Sequence, residues 1–139
     1  MRSSRRLLIP LLLALLALCG TAACSSEEAP QREGMALPAG FPSGQVPMVD
    51  GAVIAATGDG ENTWQVTIQA PATEGNAFTN AVDAMTAGGY TESSREENDA
   101  VRLVVMEKQD DDRRYVVTVS ISSMSATART SVIYLVNRS

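Results

Sequence analysis

Acid–base and nucleophilic chemistry needs side chains that this chain carries in few places. Histidine is absent from all 139 residues, which removes the commonest general base and the commonest metal ligand together. Asp110, Asp111 and Asp112 form the densest carboxylate group, and calcium takes several carboxylate oxygens. Spaced ligands and a supporting glycine are missing, and Arg113-Arg114 follow directly, so the run reads as a solvated hairpin tip. Glu92, Glu96, Glu97 and Asp99 would suit the paired acids of a glycosidase, but no apolar pocket surrounds them to raise one pKa. Gly58-Asp59-Gly60 lacks the Lys-Ser/Thr ending and the following helix of a phosphate loop. Ser93, Ser94, Ser122, Ser123 and Ser125 have no histidine to activate them, and Lys108, the only lysine, is the one formal base for a Ser-Lys arrangement. Trp64 would stack on a sugar, yet it alternates with Val66 and Ile68, which marks it as core. Asn137-Arg138-Ser139 spells a glycosylation acceptor and reads as chance. No catalytic, cofactor or metal set is therefore expected.

The two thiols, Cys19 and Cys24, both lie in the first 24 residues. The rest of the chain has no disulfide to rely on and must be held by packing and hydrogen bonds. Around the thiols the order is telling. Residues 1–6 are basic, with Arg2, Arg5 and Arg6. Leu7 to Leu18 is apolar except for the uncharged Pro10, and Gly20-Thr21-Ala22-Ala23 are small. This is the pattern of an export signal, and its apolar stretch is shorter than the roughly 20 residues of a spanning helix. Ser4-Arg5-Arg6-Leu7-Leu8 also partly matches a twin-arginine export signal.

Thr21-Ala22-Ala23-Cys24 resembles the lipobox of bacterial lipoproteins, commonly Leu-Ala-Gly/Ala-Cys, with Thr21 in place of the leucine. Cys19 is the rival, but Leu18 before it is bulky where the motif has a small residue. The resemblance implies a diacylglyceryl thioether on Cys24, cleavage before it, and often a third acyl chain on the new amino group. Two chains suffice for stable anchoring. The alternative is an ordinary cleaved signal ending near Ala23, which would leave a soluble secreted protein. Further along, Phe41-Pro42, Val46-Pro47 and Asp50-Gly51 resemble the start of many small actinobacterial lipoproteins, a likeness that brings no known activity with it.

Loss of Arg2, Arg5 and Arg6 would drop Lys+Arg from 11 to 8 against 16 Asp+Glu, so the formal charge falls from −5 to −8. Such a body is repelled by nucleic-acid backbones, so no nucleic-acid partner is expected. Residues 24–36 are polar and acidic and read as a flexible tether. Residues 37–139 read as one globular domain. Its first part, Leu37 to Met48, holds three prolines that favour extended backbone. Phe41 and Val46 are apolar anchors that let this arm lie along the domain. A proline-rich recognition ligand is the other reading of the arm.

The elements follow from periodicity. Ala52–Thr57 is a short strand, and Thr63–Gln69 alternates cleanly as the next. Thr73 to Asn76 offers caps for a helix to about Ala87, with Phe78, Ala81, Val82 and Met85 on one face and Gly88-Gly89 as its stop. Tyr90–Glu96 is a polar edge strand. Ala100–Lys108 is a strand with Val101, Leu103 and Val105 on one face. Arg113–Ser123 directs Tyr115, Val117, Val119 and Ile121 inward. Met124–Ala128 closes a hairpin, and Arg129–Val136 is a final strand placed centrally or covered on both faces. The order ββαββββ predicts an α+β fold, an antiparallel sheet of about six strands with one amphipathic helix on one face. The other face, rich in Thr, Ser and Gln, should be wet.

Two functions follow. The first is a lipid-anchored, non-catalytic module on the extracytoplasmic face of the cell membrane, presenting the wet face or the edge strand to an envelope protein or cell-wall partner. The second is a carrier of a small ligand or lipid, with Met85, Met106 and Met124 lining a cavity between helix and sheet.

Overall fold

A computed structural model describes residues 33–122 and 129–139. The chain forms β1 (Ala52–Gly58), β2 (Thr63–Ala70), one 3-10 turn (Ala72–Glu74), α1 (Ala77–Ala87), β3 (Thr91–Glu97), β4 (Arg102–Asp110), β5 (Arg113–Ser122) and β6 (Thr130–Arg138). All six strands make one antiparallel sheet in the order β1-β2-β6-β5-β4-β3. The α+β class is as the periodicity predicts, as is the one α-helix among the described residues. The hairpin assigned to Met124–Ala128 lies outside the described residues.

The helix is built from both ends by local chemistry. Asn76 caps its start, accepting from the backbone N–H of Phe78 and Thr79 at 3.1 Å each, which satisfies two amides the helix itself leaves unpaired. At the other end Gly89 adopts φ +89°, the left-handed conformation glycine adopts without strain. Its N–H then reaches the Thr86 carbonyl and the next N–H, of Tyr90, reaches that of Met85, the paired bonds of a Schellman stop. Phe78, Ala81 and Met85 are buried on the sheet side, and the helix packs on β5 and β6.

One helix cannot cover this sheet, and the arm completes the cover. Val46 and Val49 join the buried core, with Leu37, Phe41 and Met48 packed against it. Pro47 presses on the end of the helix so closely that a Cβ on Gly88 would lie 2.5 Å from the Pro47 ring. The core beneath is Trp64, Val66 and Ile68 from β2, Val132, Tyr134 and Val136 from β6, Tyr115, Val117 and Val119 from β5, and Val104 and Met106 from β4. Burial of that much apolar surface, at about 25 cal/mol per Å², is the main stabilising force.

β4 corrects the sequence reading. Val104 and Met106 are the buried pair, at 0% and 1% exposure, whereas Val101 is 40% exposed and Leu103 and Val105 are half-buried on the opposite face. The cause is register. Val104 pairs with Val119 and Met106 with Val117, and directly paired residues of adjacent strands share a face. β6 lies centrally between β2 and β5 but is covered on one face alone, since Leu135 is 37% exposed.

Both sheet edges are guarded. β3, the expected edge strand, has all its residues exposed and a bulge between Glu92 and Ser94. β1 has a bulge between Val53 and Ala55. It is also met by the end of the acidic segment: Met35 donates to the Val53 carbonyl at 2.9 Å and Val53 donates to that of Glu33 at 2.8 Å. Residues 33–35, inside the stretch read as tether, are thus paired with β1. Bulges and covered edges discourage strand addition.

Candidate functional site

Most chemistry-bearing residues singled out above are engaged in holding turns and edges. Asp59 turns the β1–β2 hairpin, its Oδ1 accepting from the N–H groups of Glu61, Asn62 and Thr63 at 2.8–2.9 Å. The Thr63 bond first, then those of Glu61 and Asn62, hold its carboxyl below the usual range. Asp111 takes φ 53° at the β4–β5 turn, where Asp110 pairs with Arg113. That tight turn uses the aspartates as turn formers, and among the described residues no three metal-ligating side chains are placed to hold an ion together.

Two of the three acidic residues of β3, Glu92 and Glu97, form an ion-pair chain. Arg95 meets Glu92 at 2.7 Å and Glu97 at 3.5 Å, and Arg102 meets Glu97 at 3.5 Å. Glu92 is held below its ordinary pKa by the Arg95 hydrogen bond. A general acid of the glycosidase type needs the opposite shift. Glu107 is likewise lowered by its bond to Arg114. Asp99 sits in the turn after β3.

Lys108 is on the helix side of the sheet, with its Nζ 3.1 Å from Gln45 Oε1 and 5.6 Å from the centre of the Tyr90 ring. Ser94 aligns with Val105 and Ser122 with Ser131 on the opposite face, so the sheet separates them from that amine, and Ser93 donates to the Val105 carbonyl at 3.4 Å. Ser123, Ser125 and Met124 lie outside the described residues, as do Cys19 and Cys24. Met85 and Met106 are core residues, at 0% and 1% exposure.

Three aromatic side chains bind the arm, and no spacing in the sequence announced their partners. Trp64 is fully buried, and its Nε1–H donates to the Ala39 carbonyl at 3.0 Å. Phe41 meets the Trp64 ring edge-on at 6.3 Å, and the Arg138 guanidinium lies 4.9 Å from its centre. The Tyr90 hydroxyl donates to the Gln45 carbonyl at 3.0 Å. The Tyr134 hydroxyl accepts from the Val49 N–H at 3.0 Å. Burial, with the Tyr115 and Asp110 charges behind it, pushes the Tyr90 phenol up to about 12.

Among the described residues, what these contacts leave free is the face of the sheet away from the helix. Its rows can be read across the strands. Thr67, Ile133, Ser120 and Leu103 form one row, and Gln65, Leu135, Thr118 and Val105 the next. The Thr, Ser and Gln residues expected there are present, but large apolar residues stand among them. No charge falls within either row on β2, β6, β5 or β4. Charges sit at the margins: Glu96 on β3, the Glu107–Arg114 pair at one end, and Arg129, which donates to Gln69 at 2.9 Å, at the other. An apolar centre with a polar rim is the anatomy of a contact surface. The sequence hid it because on β4 and β6 the apolar residues of this face are interleaved with those of the core.

Comparison with protein-family models, curated proteins and solved structures finds no match.

Proposed function

We propose that this chain is a bacterial lipoprotein, anchored through lipid on Cys24 at the extracytoplasmic face of the cell membrane, and that its folded body is a non-catalytic binding module. The contact surface is the open face of the sheet. The observation that carries this reading is the uncharged block around Leu135 and Ile133, spread over four strands of an acidic protein whose charges stand at its margin. The basic start, the apolar stretch and Ala22-Ala23-Cys24 support the anchor. Pairing of Glu33–Met35 with β1 supports a short link, residues 25–32, between lipid and body.

The β3 edge is a poorer contact surface than the open face. Its bulge and its Glu92–Arg95–Glu97 chain oppose an incoming strand. Engagement of Lys108 by Gln45, of Glu92, Glu97 and Glu107 by arginine, and of Asp59 by backbone N–H supports a binding role over a catalytic one.

Detergent phase partition tests the anchor. The wild type is expected in the detergent phase with a diacylglyceryl mass on its N-terminal peptide, and the lipid mass is expected to be absent from Cys24→Ser. An unmodified Cys24 in the mature wild-type protein would overturn the reading. A photo-crosslinker at Leu135 tests the surface against the same group placed at Asp83, which is exposed on the helix. Equal products from both positions would count against the open face.

A further inference from the structure

We infer that the occupant of the open face is a second copy of this chain, packed sheet to sheet about a two-fold axis parallel to the strands between β5 and β6. This rests on the open face being the contact surface. The argument starts from register. Leu135 of β6 stands beside Thr118 of β5, and Ile133 beside Ser120. Each large apolar side chain therefore has a small hydroxyl residue as its neighbour in the same row.

A two-fold axis along the strands keeps each row level and exchanges the two columns. Leu135 of one copy then lies over Thr118 of the other, and Ile133 over Ser120, large onto small. One strand further out, Thr67 of β2 lies over Leu103 of β4, and Gln65 over Val105. An isologous contact needs this kind of self-complementarity. Aligned sheets pack about 10 Å apart with inner side chains interdigitating.

Charge and area agree with this occupant. At the margin Glu107 comes over Thr63 and Arg114 over Ser139, so carboxylates do not meet carboxylates although the whole chain is acidic. Four strands about 4.8 Å apart, over some eight residues of about 3.4 Å each, give a footprint of about 500 Å² per copy. The pair then buries about 1,000 Å², at the lower bound for a specific interface and suited to a reversible one. Confinement to a membrane raises the effective concentration of the second copy.

The test uses full-length chains in their membrane. Leu135→Cys and Thr118→Cys, carrying different tags, are expressed together and oxidised. The expected result is a disulfide-linked species bearing both tags. Ile54→Cys with Thr118→Cys is the control and should give none. Ile133→Cys with Ser120→Cys repeats the test one row along, should a first variant fail to fold. Absence of the mixed species from both pairs, or equal yield from the control, would overturn the proposal. So would linkage of these cysteines to a different protein. If the pairs fail while the chain still enters detergent, the second copy is wrong and the anchor stands. If the pairs link while the chain stays in the aqueous phase, the anchor is wrong and the second copy stands.

Discussion

Trp64 donates its indole N–H to the carbonyl of Ala39 at 3.0 Å, tying β2 to a segment of the arm that has no regular structure of its own. The bond is part-buried, and a hydrogen bond of this kind contributes about 0.5–1.5 kcal/mol. Trp64→Phe keeps an aromatic core residue and removes the donor, and it also leaves space where the larger ring lay. The expected loss of stability is about 1–3 kcal/mol by urea unfolding. Amide exchange should quicken in residues 39–46 more than in β5 or β6. A uniform change across the chain would mean that Trp64 matters through core volume alone.

Tyr90 makes the same kind of tie at Gln45, and its ionisation gives the tie a pH dependence. Burial raises its phenol to about 12 from an ordinary 10.0. Between those values the unfolded chain has lost the proton and the folded chain keeps it. The folded state therefore binds more protons there, and stability falls as pH rises. The contribution is complete below pH 10.0 and is lost as pH climbs through about 12. Tyr90→Phe should cost about 1 kcal/mol at neutral pH through the lost hydrogen bond. Its stability should also decline less steeply across that alkaline window. Thermal unfolding of both proteins across the window checks the slope, and parallel curves would refute it.

Asp59 has the opposite sign. Three backbone N–H groups favour its charged form, so its folded pKa lies below the ordinary 3.8. The stability it adds is present above that value and is lost as pH falls through the folded pKa. Asp59→Ala should lower the unfolding midpoint at neutral pH. The difference from wild type should shrink in acid well below pH 3.8. A difference that persists unchanged in acid would place the effect in the turn's shape rather than in its charge.

How much of this was legible beforehand varies by element. β2 and β5 alternate cleanly, and Trp64, Val66, Ile68, Tyr115, Val117 and Val119 are all buried as their spacing predicts. The helix has its face, its Asn76 cap and its glycine stop in sequence order. β4 misled because Leu103, Val104, Val105 and Met106 are all apolar, so alternation names no face. Lys108 added to the error by sharing the parity of the true inner face, where its amine finds Gln45 and the Tyr90 ring at the rim. Hairpin arithmetic could have settled the matter. A turn with an even number of residues pairs odd positions of β5 with even positions of β4, so an inward Tyr115, Val117 and Val119 require an inward Val104 and Met106. The aromatic ties to the arm carry no such signal. They join residues as far apart as Val49 and Tyr134 through main-chain atoms that every residue has, and so the open face, the region they do not cover, was legible as polar alone.

The two valines at 104 and 105 turn that correction into a measurement. Val104 is fully buried against β5, so Val104→Ala removes buried methyl groups and leaves a cavity. Methylene transfer at about 0.8 kcal/mol each, together with the cavity, sets the expected loss at about 2 kcal/mol or more. Val105 is half-buried on the open face, where the space left by Val105→Ala opens to solvent, and the loss should be well under half as large. The ranking is to be read by urea unfolding under conditions that keep the chain monomeric, because contact between open faces would add a concentration-dependent term to Val105 and none to Val104. If Val105→Ala proved the costlier change in the monomer, β4 would present its odd residues to the helix, and the uncharged rows that define the contact surface would no longer lie on one face.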